Sequence, residues 1–268
     1  MTEHTPQDPG SLIRQWGDDL ASWAIPQEIL DQADEKPWTH PVAMFTVDDT
    51  VADSPSHRAA REAVPVGGSV LDVGSGGGRA AMALVPPAGL VMGVDHQQAM
   101  LDAFSDAASR RGVPSRTFLG DWPDIADSVP EADVVVCHHV VYNVPEIGEF
   151  LLALDRHARR RVVLELPLRH PLSHLNPLWE RFWGLSRPTR PAASDLHAIA
   201  CALGFDANLE EWSDDQWAAS RGIADEERIR FARIRLCLSP DRDGEIARAL
   251  DEVGDVGPRR VATIWWDR

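Results

Sequence analysis

The chain has 268 residues, of which 44% are hydrophobic and 25% are charged. It therefore carries enough apolar side chain for a full core, which excludes a disordered or fibrous protein. The 42 acidic residues outnumber the 26 lysines and arginines and give a formal net charge of −16. Such a charge repels phosphate backbones, so we do not expect nucleic acid as the partner.

The cysteines and the apolar runs of the sequence indicate in which cellular compartment the protein is expected. The three cysteines are far apart and provide neither a disulfide framework nor a metal-binding spacing. The first ten residues are polar and unlike a signal peptide. No window approaches the roughly 20 apolar residues of a membrane span. We therefore expect a cytoplasmic protein with no membrane partner and no metal centre.

The N-terminal part of the chain, residues 1–56, is predicted to form a helical cap. Apolar residues between Leu12 and Trp23 recur every three or four positions, which is the period of an amphipathic helix. Pro26 is expected to open a second short helix over residues 27–30. The proline-broken stretch 36–45 has no clean period and is expected to be irregular.

From residue 57 onward, short apolar runs that favour strands alternate with helical stretches. This alternation is typical of a parallel sheet with helices on both faces, and we assign residues 57–268 to one α/β domain. Strands are expected at Ser69–Val73, Leu90–Val94, Arg116–Leu119, Asp133–Cys137, Val162–Leu166, Asp206–Trp212 and Arg260–Trp266. Helices are expected at Arg79–Leu84, Gln97–Arg110, near Ile125, and at Glu146–His157, Asp195–Leu203 (capped by Ser194) and Asp225–Leu236.

Residues 167–195 interrupt the alternation with five prolines, two tryptophans and two histidines, which is typical of an insertion. His170 and His174 lie four residues apart within it. The neighbouring prolines argue against a shared helix face, so we do not expect these two histidines to bind a metal.

The strongest functional signal is the stretch from Val70 to Arg79, VLDVGSGGGR. An expected strand runs into a glycine-rich turn, and an expected helix follows. Glycine is needed where the backbone takes a positive φ or approaches a ligand closely, and such a turn can hold a polar or anionic group. The glycines are spaced G-x-G-x-G, whereas a dinucleotide fingerprint requires glycine at position 79. A nicotinamide oxidoreductase is therefore disfavoured.

The motif D-x-G-x-G-x-G, from Asp72 to Gly78, resembles the class I S-adenosylmethionine-dependent methyltransferases, and the resemblance extends over about residues 69–166. It implies a Rossmann-like α/β fold with a mostly parallel seven-strand sheet, S-adenosylmethionine as cofactor and S-adenosylhomocysteine as product. The turn would wrap the methionine part of the cofactor, and Asp72 would fix the turn and the cofactor's amino group. The expected contacts in the turn are Asp72, Gly74, Ser75, Gly76 and Gly78.

Later strand ends extend the expected cofactor site. Asp95, followed by His96, ends the second strand, where a carboxylate can accept both ribose hydroxyls. Asp121 and Trp122 follow the third strand, where the resemblance implies contacts with the adenine amino group and ring. The alternatives are a turn role for Asp95 and a helix cap for Asp121. His138, at the end of the fourth strand, is expected near the methionine end.

A hydroxyl or amine acceptor must lose a proton, so a general base is expected at the carboxyl end of the sheet. His139, His138 and Glu165 are the candidates, because histidine titrates near neutral pH and Glu165 lies near the end of the fifth strand. A structural hydrogen bond is the alternative for each of them.

Aromatic and apolar residues outside the sheet are expected to cover a small apolar or aromatic acceptor that is methylated at O, N or C. They are Trp16, Trp23, Trp38, Met44, Phe45, Trp179, Phe182 and Trp183. No D/N-P-P-Y-type motif follows the fourth strand, which together with the charge argues against nucleic-acid acceptors. The alternatives are a cofactor-binding sensor or partner without a methyl acceptor, and an RNA methyltransferase.

Overall fold

The computed structural model describes residues 8–37, 53–215, 225–254 and 258–268. Its strands are β1 (Ser69–Val73), β2 (Leu90–Asp95), β3 (Ser115–Leu119), β4 (Ala132–His138), β5 (Ala158–Pro167), β6 (Asn208–Asp214) and β7 (Arg259–Asp267). They form one sheet in the order β3-β2-β1-β4-β5-β7-β6. Strands β1 to β5 are parallel, and β7 runs antiparallel to both β5 and β6. The expected mostly parallel seven-strand sheet is confirmed.

The described helices lie on both faces of this sheet and at one end of it. They are α1 (Pro9–Ala21), α2 (Gln27–Leu30), α3 (Pro55–Ala63), α4 (Arg79–Met82), α5 (Gln98–Arg110), α6 (Ile147–His157), α7 (Asn176–Trp183), α8 (Ala193–Ala202), α9 (Asp225–Arg235) and α10 (Asp243–Val253). Within the described ranges, none of them has the length and apolar character that crossing a bilayer requires.

Two apolar clusters lie on opposite faces of the sheet because successive strand residues point to opposite sides. Leu71 and Val73 belong to the cluster under α1, α6 and α8. Val70 belongs to the cluster under α3, α4 and α5. Burial on both faces explains why the central strands have near-continuous apolar sequences.

A third apolar cluster lies outside the sheet and joins α2, α7, α9 and α10. Ile29 of the N-terminal segment packs there with Trp179 of the 167–195 stretch and Leu236 of the C-terminal part. Segments distant in sequence therefore form one helical layer beside the sheet. The expected cap residues Trp38, Met44 and Phe45 lie outside the described residues.

Three helices were not anticipated, namely α3, α7 and α10, and one predicted cap is wrong. Helix α7 forms in the proline-rich stretch because Pro177 occupies its first turn, where no N–H partner is needed. Helix α8 begins at Ala193, ahead of the expected cap Ser194. The carboxylate of Asp195 accepts the Ala192 N–H at 2.7 Å and satisfies this helix end instead.

Two glycines with positive φ test how tightly the first βα unit is packed. Gly78 has a φ of +88°, and a Cβ there would lie 2.8 Å from Phe104 Cδ2. Gly112, which follows α5, has a φ of +66° and open space around it. Gly112→Ala should lower the free energy of unfolding by about 1 kcal/mol through backbone strain alone. Gly78→Ala should lower it by about 2 to 4 kcal/mol because overpacking is added. Urea denaturation of both variants checks this, and equal losses would contradict the packing account.

Candidate active site

The glycine turn connects β1 to α4 at the carboxyl edge of the sheet. Gly74, Gly76 and Gly78 all have positive φ, between +49° and +88°. A Cβ on Gly74 would overlap the side chain of Val140, in the segment that follows β4. The Gly74 and Ser75 N–H groups both donate to the Val94 carbonyl at 2.9 Å. The turn is thus held against β2 and lies directly beside the segment after β4.

Asp95 ties this turn to the end of β2. Its Oδ2 accepts the Gly76 N–H and its Oδ1 accepts the Gln97 N–H, each at 2.9 Å. The residue is buried, whereas the neighbouring His96 is exposed, with its Nδ1 3.8 Å from Asp95 Oδ1. The turn role considered for Asp95 is present in the structure. Contact of Asp95 and His96 with the ribose stays a prediction.

Asp72 lies beneath the turn and is 1% exposed. Its Oδ2 accepts the Ala81 N–H at 3.1 Å and so connects β1 to α4. Burial, together with the charge of Asp95, raises the pKa of Asp72 to about 8. Asp72 therefore holds the turn's helix in place, and its contact with a cofactor amino group stays a prediction.

Asp121 and Trp122 follow β3 beside the end of β2. The Gly120 N–H donates to the Asp95 carbonyl at 3.0 Å, which brings the two strand ends together. Asp121 is exposed. The Trp122 ring meets His157 edge-on at a centroid distance of 4.8 Å. The Nε1 atom of Trp122 is buried and has no hydrogen-bond partner among the described residues.

The three catalytic candidates meet at the carboxyl ends of β4 and β5, where His138 and Glu165 are paired across the two strands. His139 Nε2 lies 3.0 Å from Glu165 Oε1. The His139 N–H also donates to the Glu165 carbonyl, at 2.7 Å. His139 has a φ of +62°, a rare value for a residue other than glycine, and these two contacts hold it there.

Three residues that the sequence analysis did not select complete this polar cluster. Ser54 Oγ donates to Glu165 Oε2 at 2.9 Å, and the His57 ring stacks on His138 at 5.5 Å. An Arg259 Nη lies 3.4 Å from His139 Nδ1. The Ser-Pro pair at residues 54–55 is a recognisable helix start, but it carries no signal for contact with a strand 111 residues away.

Charge is distributed unequally within this cluster. Burial lowers the pKa of His138 to about 3, so its imidazole is neutral near pH 7. Burial by itself would raise the pKa of Glu165, but the hydrogen bond that it accepts from His139 holds this pKa well below its ordinary value. Glu165 is therefore an ionised carboxylate and a weak base.

A cavity of about 370 Å³ lies beyond this cluster, between α1, the segment after β4 and the stretch 167–195. Tyr142 lines it and donates its hydroxyl to the Pro167 carbonyl at 2.8 Å, two residues after Glu165. Tyr142 and Asn143, which line the cavity, follow His139 in the same segment after β4, so the cavity and the polar cluster are neighbours. Side chains of Trp23, His170, Trp179, Arg187 and Arg235 also line the cavity.

Within the described ranges, no three His, Cys, Asp or Glu side chains converge as metal ligands would.

Residues 70–161 match a family described as the methyltransferase domain. The match runs from β1 into β5 and includes the glycine turn, Asp95, Asp121, His138 and His139. An uncharacterized protein of Haemophilus influenzae is 32% identical over 97 residues, which are 36% of this chain and 36% of that protein. The chain thus spans about a third of the length of this relative.

Two solved structures have the same fold. Each is a methyltransferase in complex with S-adenosylhomocysteine, one from Geobacter sulfurreducens and one from Thiobacillus denitrificans. The first is 17% identical, with a TM-score of 0.54 over 92% of this chain and 100% of that chain. The second is 15% identical, with a TM-score of 0.54 over 85% and 96%. Residues 70–161, about a third of the chain, thus match the methyltransferase family, and the two structures show that the chain has the fold of S-adenosylmethionine-dependent methyltransferases.

The carboxylate of Glu165 should make the stability of this cluster depend on pH. Glu165→Gln removes the charge that accepts hydrogen bonds from Ser54 and His139, and should cost about 1.5 to 3 kcal/mol of unfolding free energy at pH 7. Because the folded-state pKa is depressed, this contribution is present above the unfolded value of about 4.3 and is lost as the pH falls through the folded value.

Urea denaturation across acid and neutral pH measures the difference between the wild type and this variant. Glu149→Gln is the matched control, because Glu149 is exposed on α6. A difference for Glu165→Gln that stays constant with pH would contradict the assignment of the charge.

Proposed function

We propose that this protein transfers a methyl group from S-adenosylmethionine to a small, apolar or aromatic molecule, at an O, N or C atom. The observation that carries the proposal is the aromatic cavity of about 370 Å³ beside the ends of β4 and β5. Open α/β sheets bind ligands at this edge, and small-molecule pockets are concave and largely apolar. The net charge of −16 speaks against a nucleic-acid acceptor.

The residues at the edge fit the proposed cofactor. The turn presents backbone instead of side chains, and the strand-end acid Asp95 contacts it directly. Asp121 follows Gly120, whose N–H donates to the Asp95 carbonyl. Trp122 Nε1 and His138 Nε2 are buried polar atoms without a partner among the described residues, so both can serve a ligand. The proposed cofactor-binding set is Asp72, Gly74, Ser75, Gly76, Gly78, Asp95, His96, Asp121, Trp122 and His138.

The bound cofactor supplies an electrophilic methyl group on a sulfonium, and this chain's residues supply position and proton transfer. The cavity walls hold the acceptor at attack distance. We assign the proton acceptor to His139 Nδ1, because Nε2 faces Glu165. The 3.4 Å contact of Nδ1 with Arg259 is long for a hydrogen bond and can be exchanged for a substrate proton. Glu165, whose pKa is too low for a general base, positions the imidazole.

Calorimetric titration with S-adenosylmethionine and S-adenosylhomocysteine tests the cofactor site of the purified protein. Incubation with methyl-labelled cofactor and a panel of small aromatic acceptors then tests transfer, with labelled product and S-adenosylhomocysteine expected in equal amounts. If neither compound binds, the proposal is withdrawn. Binding without product across the panel favours the non-catalytic sensor, and methylation of highly charged acceptors alone contradicts the apolar acceptor class.

Asp95→Ala is the sharpest test of the cofactor assignment. The variant loses the proposed ribose acceptor and leaves the Gly76 N–H without its partner, so S-adenosylhomocysteine affinity should fall at least about tenfold. Asp102→Ala is the control, because Asp102 is exposed on α5 and, among the described residues, accepts only from Gln98 Nε2. Calorimetry gives the affinities, and thermal melting checks that both variants fold. Unchanged affinity in Asp95→Ala would show that the ribose assignment is wrong.

A further inference from the structure

The described walls of the cavity contain two arginines, although the whole chain carries a net charge of −16. Arg187 and Arg235 line it, and its lining among the described residues includes no aspartate or glutamate. We propose that this cavity selects a planar aromatic molecule bearing a carboxylate, and that Arg187 binds that carboxylate. This inference rests on the proposed function, because it names the acceptor class of the same site.

Arg187 is held rigidly at the cavity wall. Its guanidinium carbon lies 5.4 Å from the ring centroid of Trp23 and 5.0 Å from that of Trp179. One Nη donates to the Ala24 carbonyl at 3.1 Å, and the other donates to the Trp23 carbonyl. A side chain fixed in this way loses little further freedom when it binds a ligand.

Among the residues that the structure describes, no acidic side chain of the cavity wall pairs with the positive charge of Arg187. Within the described part of the chain its Nη atoms donate to main-chain carbonyls, and its Nε is buried with no partner there. Burial lowers the pKa of Arg187, but a guanidinium stays protonated in proteins. A carboxylate would form charge-assisted hydrogen bonds with it. A neutral ligand would leave this half-buried charge unpaired, and a cation would be repelled.

The other walls favour a flat ring. The His170 ring stacks on Trp23 at a centroid distance of 3.9 Å and meets Tyr142 edge-on at 5.5 Å. Burial and the positive charge of Arg187 lower the pKa of His170 to about 4, so this imidazole is neutral near pH 7. The volume of about 370 Å³ is at the lower end of the roughly 300–1,000 Å³ of small-molecule pockets. It therefore suits a molecule of one or two rings.

The second guanidinium strengthens the positive field. Arg235 is buried, lies 5.1 Å from the centroid of the Phe231 ring and donates to the Pro37 carbonyl. Its charge faces the same cavity as that of Arg187. Each Nη of Arg187 carries a second N–H besides the one that donates to a main-chain carbonyl, so Arg187 supplies the specific contact with the carboxylate.

Three probes of nearly equal shape test the inference: 2-naphthoate, 2-naphthamide and 2-naphthylmethylamine. Each is titrated calorimetrically into the full-length protein saturated with S-adenosylhomocysteine. The carboxylate should bind at least about tenfold more tightly than the amide, and the amine should not bind. Arg187→Met keeps the apolar stem and should remove the preference. Arg187→Lys keeps the charge and should retain part of it.

Arg190→Met is the matched control. Arg190 belongs to the same segment, but its side chain pairs with Asp19 and Asp195 and does not line the cavity. This variant should keep the wild-type preference. Thermal melting and S-adenosylhomocysteine affinity verify that each variant folds. If Arg187→Met is destabilised, the test is decided by comparing the carboxylate preference of Arg187→Lys with that of Arg190→Met.

The outcomes separate this inference from the proposed function. Failure to bind S-adenosylhomocysteine overturns the proposed function itself. Normal cofactor binding with no probe bound overturns only the carboxylate inference. The carboxylate inference is also overturned when the amide binds as tightly as the carboxylate. It is likewise overturned when the preference for the carboxylate survives in Arg187→Met, or when it disappears in both Arg187→Lys and Arg190→Met.

Discussion

Three buried carboxyl groups at the carboxyl edge of the sheet hold the candidate site together. Burying a carboxylate is costly unless donors surround it, so each acid connects the elements that supply its donors. Asp72 joins β1 to α4, and Asp95 joins the glycine turn to the end of β2. Glu165 joins β5 to His139 after β4 and to Ser54 before α3. The arrangement of the edge follows from satisfying these three groups.

The parts of this edge that the sequence predicted are those governed by local patterns. The apolar runs located the strands, since strands buried on both faces need apolar residues at consecutive positions. The glycine spacing located the turn. The approach of His139 to Glu165 could also be anticipated, because parallel neighbouring strands end at the same edge. Strand β5 begins at Ala158, earlier than the expected Val162. The three charged residues Arg159 to Arg161 interrupt the apolar run, so the sequence gives no sign that the strand has already begun.

The parts that could not be predicted depend on contacts between distant segments. Ser54 and Arg259 reach the cluster from before α3 and from the start of β7, and no local period encodes either approach. Helix α7 was hidden by its prolines, which a first helical turn tolerates. The aromatic pocket requires α1, the segment after β4 and residues 167–195 to come together, so its basic lining is invisible in a composition dominated by acids.

The acidic surface and the basic cavity act over different distances. At physiological ionic strength, exposed charges more than about 8 Å apart are largely screened, whereas buried charges are screened much less. The net charge of −16 therefore sets the repulsion between this protein and extended polyanions such as nucleic acid. A small ligand inside the cavity instead experiences the nearby guanidinium groups of Arg187 and Arg235 in a less polar medium. An acidic protein can in this way exclude polyanions and still select a small carboxylate, because the two choices depend on different sets of charges.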